Sequence, residues 1–472
     1  MEAPQCRKRQ RRSGLKTKHE IKKNFATSLF SKELVLHVFS FLSFKDLIQC
    51  AAVSTDWRRM ANDEMLWKPL FNRHFRDPLL LEDRKTKFQY HRRSSVTRQG
   101  GSWKAKYRIH HNWLRGQCYI NDLSHTMENT ENLHQIQVLH DTIFLVGDST
   151  SSGIDVWKYV ENGSVHVHQV QSTENTDGFI SFLKLVEGPI NHLIAGYSNG
   201  GFTLWEISGT NLTEITNYNP SSQHDKVTSI GMEYPMILVC TESMKLSVFH
   251  VTPSLSLELI HRLQSPMDWS PVAIEIQKHE SKRKTGLWKV IVCFGLSGGG
   301  FTSSIGVQEF ILSTSAVISS KHGFALDFES VYPSLNTASE KITSMAYAPP
   351  HLITAHPNNT MKQYFIRVND HTLDIAFKRT LYGHTFKVDA LAIDPSRRTL
   401  VSGDKSGIKI WDLAKKGECR VTLNNHVHQS SMDELPDFSI KTLGFDEDKI
   451  YAVVHSIDRS FVRLWSFNSM KL

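Results

Sequence analysis

Few stretches of the 472-residue sequence look able to do covalent chemistry. Leu296-Ser297-Gly298-Gly299-Gly300 has the glycine density of a phosphate cradle, in which bare backbone N–H groups face an anion. No Gly-Lys-Ser/Thr follows it and no helical pattern opens after it, so it reads as a hairpin whose glycines supply positive φ. His, Asp and Ser are plentiful, yet none stands in a nucleophile elbow or a His-Glu-x-x-His array. Cys6, Cys50, Cys118, Cys240, Cys293 and Cys419 are scattered, with no Cys-x-x-Cys and no His pair at zinc spacing. The sequence thus asks for no cofactor, no metal and no catalytic group. The chemistry that remains is noncovalent: apolar surface buried against another polypeptide.

The stretch that offers such surface is residues 28–75. Leu34, Val38, Phe39 and Leu42 recur every three to four residues, the spacing that lines one face of a helix. Ser43 with Asp46 three residues on is a capping box with Asp in place of Glu, opening a helix through Leu47, Ile48 and Ala51. Ser54 caps a turn carrying Trp57 and Met60, and Asp63 caps one carrying Leu66, Trp67 and Phe71. So few residues bury little on their own, which predicts that this unit leans on a partner.

These residues resemble the F-box, which binds the Skp-type adaptor of cullin–RING ubiquitin ligases. Leu29, Glu33-Leu34, Val38-Phe39, Phe41-Leu42, Asp46-Leu47, Val53-Ser54, Trp57-Arg58 and the ending Asp63-Glu64-Met65-Leu66-Trp67 carry the resemblance without a gap. Phe30 stands where the family usually has proline, which leaves the opening turn less rigid. The resemblance implies an adaptor-binding set of Leu29, Phe30, Leu34, Val38, Phe39, Leu42, Leu47, Val53, Trp57, Leu66 and Trp67.

Charge divides the rest of the chain. Residues 1–23 hold nine bases against two acids and residues 84–115 ten bases and no acid, whereas residues 116–472 hold 29 bases against 37 acids. Arg7-Lys8-Arg9-Gln10-Arg11-Arg12 reads as a nuclear localisation signal or a solvated tail. In residues 84–115 bases alternate with Phe88, Tyr90, Trp103, Tyr107 and Trp113. Such a mixture grips single-stranded nucleic acid in some proteins. The Trp103/Tyr107 spacing instead favours a connecting helix wedged between two domains, so nucleic acid is an unlikely partner. With no signal peptide and no run long enough to span a membrane, the chain reads as soluble, in nucleus or cytoplasm, and not secreted.

From Gly116 onward helical periodicity gives way to seven repeats of strand, tight turn and strand. The third strands end in Trp157, Trp205, Phe249, Phe310, Phe365, Trp411 and Trp465. Second strands starting at 143, 190, 235, 290, 351, 399 and 449 lie 45 to 61 residues apart, the length of a four-stranded propeller blade with loop insertions. The unit with Gly383-His384 and Trp411-Asp412 resembles a WD repeat. That resemblance implies structural roles for His384, Trp411, Asp412 and an Asp in the turn, for which Asp404 is the candidate. The seventh unit ends soon after its third strand, and Gln117–Ile120 is placed to supply its outer one.

The expected architecture is therefore a multidomain α plus β chain: a basic tail (1–27), an all-α F-box (28–75), a basic helical linker (76–115) and an all-β seven-bladed WD-repeat-like propeller (116–472). The expected function, by resemblance, is that of a non-catalytic substrate receptor in an Skp–cullin–F-box ligase. It would dock the adaptor and, through it, the cullin–RING core, and hold a client protein for ubiquitylation and degradation. A non-degradative scaffold is the main alternative, a nuclear nucleic-acid-associated protein the more distant one. The propeller's net acidity favours a basic or neutral client, and no client-binding residue is singled out.

Overall fold

A computed structural model describes residues 30–76, 101–123, 133–147, 153–160, 163–174, 178–220, 224–265, 269–279, 286–296, 304–326, 342–369, 371–394, 398–413, 419–424, 438–456 and 459–468. Leu29, the basic tail, Phe88, Tyr90, and the glycines at 298–300 lie outside them. The chain divides into two compact units: residues 30–76 with 101–107, and the described residues from 108 onward.

The first unit is helical, and its helices start where the capping residues stand. Helix α1 (Lys32–Phe39) begins at Ser31, whose hydroxyl accepts the Leu34 N–H. Helix α2 (Phe44–Val53) opens on the full Ser43/Asp46 box, each side chain bonding the other's backbone N–H. Ser54 caps α3 (Thr55–Ala61) and Asp63 caps α4 (Glu64–Phe71). A π-helical turn, Asn72–Arg76, follows. Helix α5 (Trp103–Arg115) contributes its first residues here: Glu64 accepts the Trp103 N–H, and Tyr107 is buried against Phe44, Trp67 and Phe75. Trp103, too, packs on Phe71 within this unit. The aromatic pair expected to wedge between domains thus completes the helical core.

The second unit is a ring of seven four-stranded antiparallel sheets. Second strands start at residues 142, 191, 236, 288, 351, 399 and 449, within two residues of expectation. Neighbouring inner strands touch all the way round, including that of blade 1 with that of blade 7. Each of the seven junctions holds its own apolar cluster, so the core lies between blades rather than inside them. Polar side chains stitch the same junctions at an offset of one blade. His134 Nε2 bonds Ile180 O (2.7 Å), Ser181 donates to Val227 O (2.8 Å), and Thr343 to Val388 O (3.2 Å). Six third-to-outer strand pairs carry a β-bulge at or beside the aromatic residue, which adds twist at the rim.

Blade 7 is built from both ends of this unit. Its outer strand is Tyr119–Asp122, paired with Ser460–Ser466 in the register Tyr119↔Ser466 to Asp122↔Arg463. Arg463, 3% exposed, grips the Asp122 carboxylate with Nε (2.6 Å) and Nη2 (2.7 Å). Trp113 of α5 stacks on Phe467 at 4.1 Å and donates to Glu447 O.

In blade 6 the WD-like residues form one buried chain of hydrogen bonds. Trp411 Nε1–H donates to Ser402 Oγ (2.8 Å), Ser402 lies 2.6 Å from His384 Nε2, and His384 Nδ1 lies 2.8 Å from Asp404. With Nδ1 protonated, each group has one donor role and one acceptor role filled. Asp404 also accepts the Ser406 and Gly407 N–H groups, and Asp412 pairs with Arg420. Burial by itself would raise the Asp404 carboxyl, but hydrogen bonds from His384 and Ser406 outweigh it and bring it down to about 2.

Two outcomes are expected. Asp122→Asn should cost about 2 to 3 kcal/mol, because Arg463 keeps its charge and loses its carboxylate, and deleting residues 116–122 should leave an open rim and aggregated protein. Urea unfolding and light scattering measure these; a soluble, monodisperse deletion would show that the ring closes without this strand. Asp404, depressed below its unfolded value near 3.8, stabilises the fold above about pH 4 and loses that contribution as pH falls toward 2. Asp404→Asn should therefore be about 2 kcal/mol less stable at pH 7, with the gap closing between about pH 4 and 2. A gap that did not change with pH would assign the loss to packing.

Candidate adaptor-docking surface

Helix α1 has two apolar faces. Val35 and Phe39 point inward, where Trp57 meets Phe39 edge-on at 5.3 Å. Leu34 and Val38, one turn apart on another face, are 55% and 61% exposed. Phe41 follows at 77% exposure, with the His37 ring edge-on to it at 5.1 Å. Phe30, Val53 and Met65 are likewise exposed. Lys32 of α1 bridges Asp63, the cap of α4, at 3.3 Å, so the first turn of α1 is tied to the helix that carries Met65. Six large apolar side chains in water are many for a unit this small.

The expected docking set therefore splits. Phe30, Leu34, Val38 and Val53 are presented to solvent; Leu42 and Trp57 are half-buried. Phe39, Leu47, Leu66 and Trp67 correct the expectation: they are buried in the unit's own core and face no partner. Trp67 is fully enclosed, its Nε1 donating to Ala61 O at 2.7 Å. The physical reason is helix geometry, since an eight-residue helix with apolar residues on two faces turns only one of them to the solvent. Phe41 and Met65 belong to the exposed group and were missing from the set, although both lie inside the motif that suggested it. The opening turn lacks proline, and the Ser31 cap holds it instead.

The propeller residues fall where their structural reading put them, in the blade 6 chain of hydrogen bonds. Ser402, which joins His384 to Trp411, had no signal of its own in the sequence. Other blades fill the equivalent position differently. Thr203 donates to Ser172 in blade 2, Asp225 accepts from Thr241, Ser243 and Lys245 in blade 3, and Thr354 bonds His356 in blade 5. Among the described residues no group of three or more His, Cys, Asp and Glu side chains is placed to hold a metal ion.

Comparison with known proteins agrees with both units. A family model described as F-box-like matches residues 32–73, the helical unit. F-box domains generally bind Skp-type adaptors. The F-box protein dre-1 of Caenorhabditis elegans is 37% identical over 83 residues, a stretch covering 17% of this chain and 9% of that protein. A second model, described as the F-box protein pof12 beta-propeller, matches residues 135–441, well over half of the sequence and all but the ends of the ring. An F-box at the front and a seven-bladed propeller behind it thus place this chain in the F-box protein pof12 beta-propeller family.

Proposed function

We propose that this protein is the substrate-recognition subunit of an Skp–cullin–F-box ubiquitin ligase. The observation that carries the reading is the solvent-facing apolar set Leu34, Val38 and Phe41, with Phe30, Val53 and Met65, on a unit matched as an F-box. Covering such side chains yields roughly 1.5 to 3 kcal/mol each, enough that a few of them dominate an interface. In this reading the adaptor covers them and brings in the cullin–RING core. The propeller, of the WD type by virtue of its blade 6 network, holds the client. Ubiquitin transfer is then accelerated by proximity, since a held client presents its lysines at high effective concentration. The chain itself supplies no transfer chemistry. A nuclear or cytoplasmic address accompanies this role, on the strength of the basic tail.

The test exploits the split between exposed and buried residues. Leu34→Glu with Val38→Glu should leave folding intact and reduce co-purification of adaptor and cullin by about 100-fold or more. Leu66→Ala, in the core, should lower stability by about 2 to 5 kcal/mol. Undiminished adaptor recovery with the double glutamate variant would rule out this surface as the dock. Adaptor binding with no protein accumulating after loss of the receptor would favour a scaffold role.

A further inference from the structure

The outer strands of the blades form the rim of the ring, and six of the seven carry an ionised side chain. Asp122, Glu214, Glu258, Lys321, Asp374 and Arg420 stand in Tyr119–Asp122, Asn211–Tyr218, Leu257–Gln264, Val317–Leu326, Leu373–Leu381 and Cys419–Asn424 respectively. Charge on an edge strand discourages pairing with other chains, because a strand added there would desolvate it. Blade 1 is the exception. Its outer strand, Gly163–Gln171, reads Gly-Ser-Val-His-Val-His-Gln-Val-Gln: nine residues with no Asp, Glu, Lys, Arg or Pro. Among the described residues it pairs only through one edge, with Gly153–Val160. Val165 and Val167 are 56% and 42% exposed, and Val160, opposite Gly163, is exposed as well.

We propose that two copies of this chain associate edge to edge through Gly163–Gln171, antiparallel about a two-fold axis at Val167. The charge pattern selects this occupant. Any other outer strand of a second molecule would bring an ionised side chain to the seam, whereas the like strand brings none. A register centred on Val167 uses the whole strand: Val165 faces Gln169, His166 faces His168, and Gly163 faces Gln171. Every facing pair is then uncharged while the histidines are neutral. The contact is isologous, so it closes after two copies and does not propagate into fibres. One strand seam is small for a specific interface, which places association in the micromolar range.

Sedimentation of the full chain should show a mass rising from one copy toward two between about 1 and 100 μM. Val165→Lys with Val167→Lys changes exposed positions only. That variant should keep its circular dichroism and melting temperature and weaken association by about tenfold or more. Val167→Cys should give a disulfide-linked pair on mild oxidation, and Ile318→Cys, exposed on the blade 4 rim, should not. A single-copy mass at about 100 μM, a dimer indifferent to the lysines, or equal cross-linking at both cysteines would overturn the proposal. So would amide protection of residues 163–171 that arises only when another polypeptide is added, since that polypeptide would then be the occupant.

Discussion

The ring depends on one pairing that chain connectivity does not provide. Six blades are built from consecutive strands, and each is held beside its neighbour by the short segment that links them. Blade 7 has no such guarantee: its outer strand, Tyr119–Asp122, precedes blade 1, while its other three strands end the unit. Backbone ladder and ion pair act together there. Arg463 is nearly sealed from water, so its charge is tolerable only because Asp122 meets it with two hydrogen bonds. The apolar junction between blades 1 and 7, with Leu133, Val138, Tyr451 and Val453, exists only while that strand is in place.

The helical unit faces the opposite problem, too much apolar surface for its size. Its core is already filled by Phe39, Leu47, Leu66 and Trp67, and Tyr107 arrives from a helix far along the chain to cover Trp67. Leu34, Val38, Phe41 and Met65 add nothing to that core. Side chains of this kind are kept in water against a cost in solubility, and a second polypeptide that covers them accounts for their presence.

Much of this was legible in the sequence, for reasons that differ by element. Ser43, Ser54 and Asp63 announce helix starts because capping chemistry is local, and each cap stands where it was expected. The second strands of the blades were located within two residues because they are apolar throughout and sit at a fixed phase from an aromatic residue. Legibility stopped where the answer depends on what surrounds a side chain. Within α1, Leu34 and Val35 are equally apolar, and only packing against α3 and α4 decides which is sealed. Tyr107 looked like a spacer residue because its partners lie more than thirty positions upstream. Ser402 is a lone serine in an apolar strand until the fold sets His384 on one side and Trp411 on the other. The other blades kept the position of that clasp and changed its chemistry, so a search for its residue types finds blade 6 alone.

The distance in sequence between Asp122 and Arg463, 341 positions, has a consequence for how the protein is made. At about 5 to 20 residues per second, roughly 20 to 70 seconds separate the emergence of the first partner from that of the second. Throughout that interval the nascent blades form an open arc with an unpaired strand at one end and an unfinished sheet at the other. The ribosome-bound arc is therefore the stage at which chaperones have the most to shield, and the last strand to leave the exit tunnel ends that exposure.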